Sequence, residues 1–357
     1  MRITKRVKRV LRFLLIILIP DLRWYLQFQK ANKKARTRSS FKNTLWAFRK
    51  GFYLETINVC KIAKNNYRDF LSDRTYKKLH PINKSYSSII DNKLYLPYLL
   101  KDFDELVPEY YFLVRKGELY PISNNSGYDN LGYLLRDKEK LVIKPCASSL
   151  GIGFNLLEFK EGLFHLNKQP IAEKEIEKFV GTLDNYIVTQ FVEQHEYSAN
   201  INSGSTNTVR LLLVRDNEIM NSYNIPVSFH RFGIGNKLVD NLTAGEGLLV
   251  FIDPLKGMLK NTGMTKKRQV ELTSIGTHPV TKQQISGLRI PNWDFVVKKV
   301  FEVMDQISFI EYTGIDIVIT SDGLKVLEMN SLPTLSAIQC EQGVYKNFHL
   351  SKFFQMV

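Results

Sequence analysis

Two carboxylates and an amide stand where a short hairpin would gather them: Asp316, Glu328 and Asn330. The β-branched-rich runs 315–320 and 324–329 flank Ser321-Asp322-Gly323, and a Gly-containing connection of three residues signals a β-hairpin. With Thr320 opposite Leu324, Asp316 falls opposite Glu328, and period-two alternation brings Asn330 out on the face of Glu328. Like charges directly opposite destabilise a sheet. A cation between them removes that penalty, and all-oxygen ligands favour hard Mg²⁺. The alternative is that Asp316 or Glu328 pairs with a nearby Lys or Arg.

Further polar positions precede the hairpin. Lys144 ends a short apolar strand, 141–145; a Gly-rich turn follows at 148–153, then a second strand at 154–159. Such a flap can lay backbone N–H groups over phosphates while the lysine supplies a point charge. It is not a P-loop, because no Gly-Lys-Ser/Thr follows and a strand comes next. The strand 186–193 turns polar at Gln190, and Glu196 follows it. A segment there, crossing between lobes, can offer backbone groups to an adenine edge and a carboxylate to ribose. Asn207-Thr208-Val209-Arg210 opens another apolar strand, where Arg210 needs an anionic partner. His230-Arg231 and the stretch 240–247 come before the strand 248–252, and a helix over 294–306 leads into the hairpin.

These groups need a sizeable scaffold. The chain has 357 residues, 44% of them hydrophobic, enough for a core in two or three subdomains. Its formal charge is +15, but residues 1–50 hold fifteen Lys or Arg and one acid, Asp21, leaving the body near neutral. Cys60, Cys146 and Cys340 form no CxxC pair, which argues against a disulfide framework or structural zinc and suits a reducing cytosol. Cys146 reads as a buried thiol rather than a nucleophile.

Lys5-Arg6-Val7-Lys8-Arg9 precedes an apolar run, 10–19, broken by Arg12 and stopped by Pro20. It is too short to span a bilayer and lacks a small-residue cleavage site. Trp24, Tyr25 and Phe28 follow among further cations. Residues 1–50 therefore read as a membrane-surface arm, with an ordinary helix packed on the body as the alternative. No nucleic-acid recognition motif accompanies the charge. Residues 51–120 read as helical and then as a small α/β lobe, with breaks at Asn65-Asn66 and His80-Pro81.

The ordered set, from about Asp91 to Pro333, resembles the ATP-grasp carboxylate–amine ligases. Its most specific part is 314–333, where the Asp316-to-Glu328 spacing and the Glu-X-Asn-Ser-X-Pro end resemble the glutamate-adding ligases. The resemblance implies an α+β fold in which two α+β lobes enclose ATP. The ATP-grasp domain would run over 121–357, with a phosphate-flap lobe at about 135–190 and a metal and substrate lobe at about 191–357. It further implies that Lys144 contacts ATP phosphates, with Ser148, Ser149, Gly151 and Gly153 in the flap. Gln190, Phe191 and Val192 would form the adenine linker and Glu196 would hold ribose. Asp316, Glu328 and Asn330 would hold two Mg²⁺ ions, or Mn²⁺ in their place.

Asn207-Thr208-Val209-Arg210 and Asp240-Asn241 are similar to the sugar-transfer-associated branch, found with surface-polysaccharide biosynthesis. Arg210 and Arg231 stand where such ligases place phosphate- or carboxylate-binding arginines. Lys144, Asn207, Arg210 and Arg231 are thus the candidate catalytic residues. D-alanine–D-alanine ligases carry an arginine two residues before the first metal aspartate; here that position is Gly314, which leaves the role to Arg210. Lys93 belongs to the pattern opening at Asp91 and has no assigned phosphate contact.

The implied reaction is ADP-forming: ATP converts a carboxylate to an acyl phosphate, which an amine attacks. The implied partners are ATP, an amino acid, a sugar or polysaccharide precursor, and the anionic inner face of the membrane; no nucleic acid is expected. Two rivals remain: an ATP-grasp kinase acting on a sugar or lipid-linked hydroxyl, and a non-catalytic ATP-binding module of a polysaccharide assembly complex.

Overall fold

A computed structural model describes residues 20–122, 128, 130–148, 151–216, 218–219, 222–242, 247–266 and 268–357. The chain divides into two units. The first comprises 1–80 with 334–351 and the short piece 268–271; the second comprises 81–267, 272–333 and 352–357. The chain therefore divides near His80 rather than at residues 50 and 120, and 334–351 returns to the first unit.

In the first unit, helices Pro20–Ala35, Phe41–Lys50 and Leu54–Val59 share a core of Trp24, Phe28, Ala47 and Leu54. Ser40 caps the second helix by accepting from the Asn43 N–H, and Gly51 ends it with a φ of +81°. A Cβ on Gly51 would lie 2.9 Å from the Arg74 Cβ, so the left-handed turn and the close approach both call for glycine. The Gln339 side chain accepts from the Leu71 N–H at 3.0 Å and donates to the Leu71 carbonyl at 3.1 Å, which stitches the returning segment in. Residues 20–50 are thus part of a folded helical unit. The cluster Lys5 to Arg9 and the apolar run up to Ile19 lie outside the described residues. Among those described, no helix is long and apolar enough to cross a membrane.

The second unit holds two seven-stranded antiparallel sheets, save for Val270 and Glu271 at the start of one edge strand. The first contains β1 (Tyr110–Arg115), β2 (Glu118–Pro121), β3 (Lys140–Pro145), β4 (Asn155–Lys160), β5 (Leu163–Leu166), β6 (Gln169–Ile171) and β7 (Tyr186–Gln190). Its order is β2-β1-β7-β3-β4-β5-β6. No separate small lobe forms from 51–120: β1 pairs with β7, Phe112 opposite Val188, so its apolar residues join the flap sheet's core.

The second sheet contains β8 (Val209–Arg215), β9 (Tyr223–Phe232), β10 (Leu248–Asp253), β11 (Met258–Lys266), β12 (Val270–Ser274), β13 (Tyr312–Thr320) and β14 (Gly323–Asn330). Its order is β12-β11-β10-β9-β8-β13-β14. Helix Trp293–Gln306 buries Trp293, Val296, Val300 and Val303, a stripe at helical spacing. β13 is buried along its whole length, which explains its nearly unbroken apolar run. This is the two-lobe α+β arrangement expected.

Candidate active site

The β13–β14 hairpin is one residue tighter than its sequence implies. Thr320 pairs with Gly323, not Leu324, across a two-residue turn; a register shift between Asp316 and Ile317 then restores Asp316 opposite Glu328. The extra residue on β14 is Leu327, accommodated by a bulge of the kind common beside functional sites. Asn330 sits beside Glu328, its amide donating to the Glu328 Oε1 at 3.3 Å.

Asp316 is flanked across its other edge by Arg210 of β8. Arg210 grips it with two donors, Nε to Oδ1 and Nη2 to Oδ2, and Arg231 of β9 adds an Nη2–Oδ2 pair at 2.6 Å. Burial pushes the Asp316 carboxyl upward, but the two guanidiniums outweigh it and hold the carboxyl well below the usual range. Glu328 pairs with Lys93 Nζ at 2.8 Å and lies 3.8 Å from Arg210 Nη2. Lys and Arg side chains thus neutralise the like-charge pair, the alternative that the sequence left open.

Gly314 makes this possible. A Cβ there would lie 2.9 Å from both the Arg210 Cδ and the Pro333 Cγ. The missing side chain is the space that Arg210 fills, a steric account of why the arginine comes from β8 and not from position 314.

Lys93 is the site residue that sequence reasoning did not place. It is buried, and besides Glu328 it donates to the Ser148 carbonyl at 2.9 Å. Backbone ties fix it: its N–H donates to the Cys146 carbonyl, and its carbonyl accepts from the Tyr110 hydroxyl. Two residues earlier, Asp91 accepts from both the N–H and the hydroxyl of Ser331 at 2.7 Å, locking this turn to the end of β14. The available signal was Asp91-Asn92-Lys93, three polar residues opening an apolar pattern.

Lys144 lines the same cavity as Lys93, Ser148, Gly151, Arg231, Asp316 and Glu328. Burial, then the nearby Lys93 charge, pull its pKa down to about 8, with Glu328 opposing. Gly151 has a φ of +69°, and a Cβ there would lie 2.9 Å from Val239, so the flap rests on the second sheet's side of the cavity. Gly153 is similarly crowded, with a φ of +80° and only 2.7 Å between a Cβ placed there and the Pro145 Cγ. Ser149 lies outside the described residues, as do 243–246.

The other expected residues are placed less uniformly. Phe191 lines an adjoining cavity together with Glu193 and Lys140; this cavity shares Phe154, Thr206 and Leu238 with the first. Lys140 Nζ pairs with Glu193 at 2.6 Å and lies 5.1 Å over the Phe191 ring. The Gln190 side chain accepts from the N–H of Glu109, the residue before β1, at 3.2 Å, and Val192 is buried. Glu196 begins helix Glu196–Ile201 and lines neither cavity; Glu158 and Glu193 are the carboxylates that line the second.

Asn207 is engaged by the fold's own hydrogen bonds. It is buried, its amide donates to the Ser198 and Asn202 carbonyls at 3.1 and 2.7 Å, and its oxygen accepts from the Gly233 N–H. Its neighbour Thr208 lines the cavity and donates through its N–H to Asp240 Oδ2 at 2.8 Å. Arg231 Nε donates to the Thr208 hydroxyl at 2.9 Å and stands 3.8 Å from Asp240. His230, next in line, is buried against Phe232 and bonded to the Tyr197 hydroxyl at 2.7 Å; burial lowers its pKa to about 3, so it stays neutral.

Cys146 is buried and its thiol is pushed up to about 11, the inert thiol expected. Among the described residues no group of three or more His, Cys, Asp or Glu could hold a metal; the expected set has two carboxylates and an amide.

No curated protein matches the chain. Solved structures do. The D-alanine–D-alanine ligase from Bacillus anthracis is 12% identical at a TM-score of 0.41, covering 83% of this chain and 76% of that one. The L-amino acid ligase from Bacillus licheniformis is 11% identical at 0.42, covering 80% and 52%. The ADP complex of N5-carboxyaminoimidazole ribonucleotide synthetase is 11% identical at 0.41, covering 74% and 52%. The chain thus spans about half the length of the last two. At the level of sequence, residues 72–350 match the family described as sugar-transfer associated ATP-grasp, and the chain belongs to that family.

Proposed function

We propose that the chain is an ADP-forming ATP-grasp ligase that joins a carboxylate to an amine. We place its substrates among amino acids and sugar or surface-polysaccharide precursors, and its site of action on the cytoplasmic face of the membrane. The observation that carries the chemistry is the wall of one cavity, which unites Asp316 and Glu328 with Lys93, Lys144 and the flap residues Ser148 and Gly151.

The residues fit a divalent cation and a nucleotide. Two carboxylates, Asp316 kept ionised by its guanidiniums, stand with an amide oxygen as an all-oxygen donor set, which suits Mg²⁺ or Mn²⁺. Bound ATP would supply the phosphoryl group that activates a carboxylate, and the metal would screen its charge. Lys93 and Lys144, at the base of the flap, attract phosphate. Arg210 and Arg231 offset the mutual repulsion of anionic reactants. The flap resting on Val239 limits water, which would otherwise hydrolyse an activated carboxylate.

The test is ADP release from ATP and Mg²⁺, screened over amino acids and nucleotide- or lipid-linked sugars. Turnover should require a carboxylate and an amine together, and Glu328→Ala should abolish it while melting cooperatively. Phosphate accumulating on a hydroxyl of a lone sugar or lipid acceptor would instead establish the kinase.

A further inference from the structure

The sequence places Trp24, Tyr25 and Phe28 at a membrane surface, but Trp24 and Phe28 are only 3% and 2% exposed. They form the first unit's core and cannot insert into lipid. The apolar side chains the fold leaves outside are different ones. Phe41 is 81% exposed and Leu45 36%, and their i, i+4 spacing puts them on one side of helix Phe41–Lys50. The stripe continues to Phe48, which turns inward and meets the half-exposed Tyr25 edge-on at 6.1 Å. Exposed Lys42 and Arg49 flank it along the same helix.

The surrounding charge has one sign. Between Asp21 and Glu55 the sequence holds nine Lys or Arg and no acid, and all nine are exposed. Cations alone would suit any polyanion. Cations framing a projecting phenylalanine and leucine suit a surface that is anionic outside and hydrocarbon a few ångströms beneath.

We infer that the face of helix Phe41–Lys50 bearing Phe41 and Leu45 is where the first unit seats on an anionic lipid bilayer. Phe41 and Leu45 enter the boundary between headgroups and acyl chains, while Arg38, Lys42 and Arg49 meet the headgroups. This inference rests on the membrane part of the proposed function and not on its chemistry.

Co-sedimentation of the full chain with phosphatidylcholine–phosphatidylglycerol vesicles tests it, with phosphatidylcholine alone as the reference. Wild type should prefer the anionic vesicles, and added salt should weaken binding without abolishing it, because the apolar part is unscreened. F41S/L45S should lose about tenfold or more in affinity with melting temperature and ATP turnover unchanged. R38Q/K42Q/R49Q should lose on the order of a hundredfold, at roughly fivefold per cation, and flatten the salt dependence. Phe41→Trp, which keeps an aromatic at the position, should show emission quenched by brominated lipid beyond that of the three native tryptophans. Absence of wild-type binding would overturn this inference and the membrane assignment together. Tight binding by F41S/L45S with an unquenched Phe41→Trp would overturn this face alone. Binding that salt abolishes and F41S/L45S leaves intact would be the purely electrostatic grip a nucleic acid uses, and would also overturn it.

Discussion

Asp73 in the first unit and Asp316 in the second are both buried, at 6% and 2% exposure. Asp73 accepts from the Tyr53 N–H at 2.8 Å and the Thr56 hydroxyl at 3.0 Å, both neutral donors. Burial dominates, and its pKa rises to about 7. Asp316 suffers the same desolvation, yet two guanidiniums hold it ionised. The difference shows what each carboxylate is for. One is a neutral-leaning strut between helices, for which a charge is a burden. The other is an anion kept ready, in a cavity whose wall sets Lys93, Lys144 and Arg231 against Asp240, Asp316 and Glu328.

The largest effect should come from removing the charge that the guanidiniums need. Asp316→Asn leaves Arg231 with Thr208 and a distant Asp240, and Arg210 with a distant Glu328. Breaking a buried pair from one side typically costs about 3–5 kcal/mol. Denaturant unfolding should show a loss of about 3 kcal/mol together with abolished ATP turnover. A variant as stable as wild type would mean that Asp316 is an ordinary buried polar group, and the contrast with Asp73 would collapse.

A smaller effect, on binding rather than stability, should follow at Lys144. Its pKa near 8 reflects a charge already stripped of solvent, so Lys144→Ala should barely change the melting temperature. Calorimetric titration with a non-hydrolysable ATP analogue should show affinity weakened by roughly 10- to 100-fold, the range for a charge-assisted contact. Because the free lysine loses its proton above pH 8, wild-type affinity should fall as pH rises through that value. The affinity of Lys144→Ala should stay flat. Equal affinities for the two proteins at pH 7 would put the phosphates elsewhere.

The motif pairs that generate this site were legible, because strand alternation and a Gly-containing turn suffice to set Asp316 against Glu328. What escaped was governed by long-range geometry. The bulge at Leu327 leaves no composition signal, and the pairing came out right although the turn was assigned one residue too long. Lys93 reads as one lysine among many, since its partners Glu328 and Ser148 lie far away in sequence. Asn207 resembles a reactive group because polar residues entering a strand look alike, whether they meet substrate or, as here, backbone and side-chain groups of their own fold. Trp24 and Phe28 looked interfacial because aromatic residues among cations suit a bilayer edge and a small helical core equally well. The sequence holds no marker that separates Phe28, inside, from Phe41, outside, until the helices are docked.

The smallest effect, and the sharpest test of the comparison, concerns Asp73. Folded Asp73 keeps its proton up to about pH 7, whereas an unfolded aspartate releases it near its ordinary value of 3.8. Between those values the folded state binds more protons, so stability falls as pH rises from about 4 to 7 and levels off above. Asp73→Asn removes this dependence. Its amide oxygen can still accept from the Tyr53 N–H, but its NH2 can meet the Thr56 hydroxyl only as a donor, so that bond must reverse. The imperfect replacement should cost about 1 kcal/mol at low pH, where wild type is neutral and well bonded. As pH rises the wild type alone loses ground, so the gap between the two proteins should close and then reverse. Urea melts of both from pH 4 to 8 measure that gap directly. A wild-type advantage that widens with pH would mean the fold stabilises the Asp73 anion, with the first turn of helix Asp73–Leu79 and Lys77 outweighing desolvation, and the two aspartates would then differ only in degree.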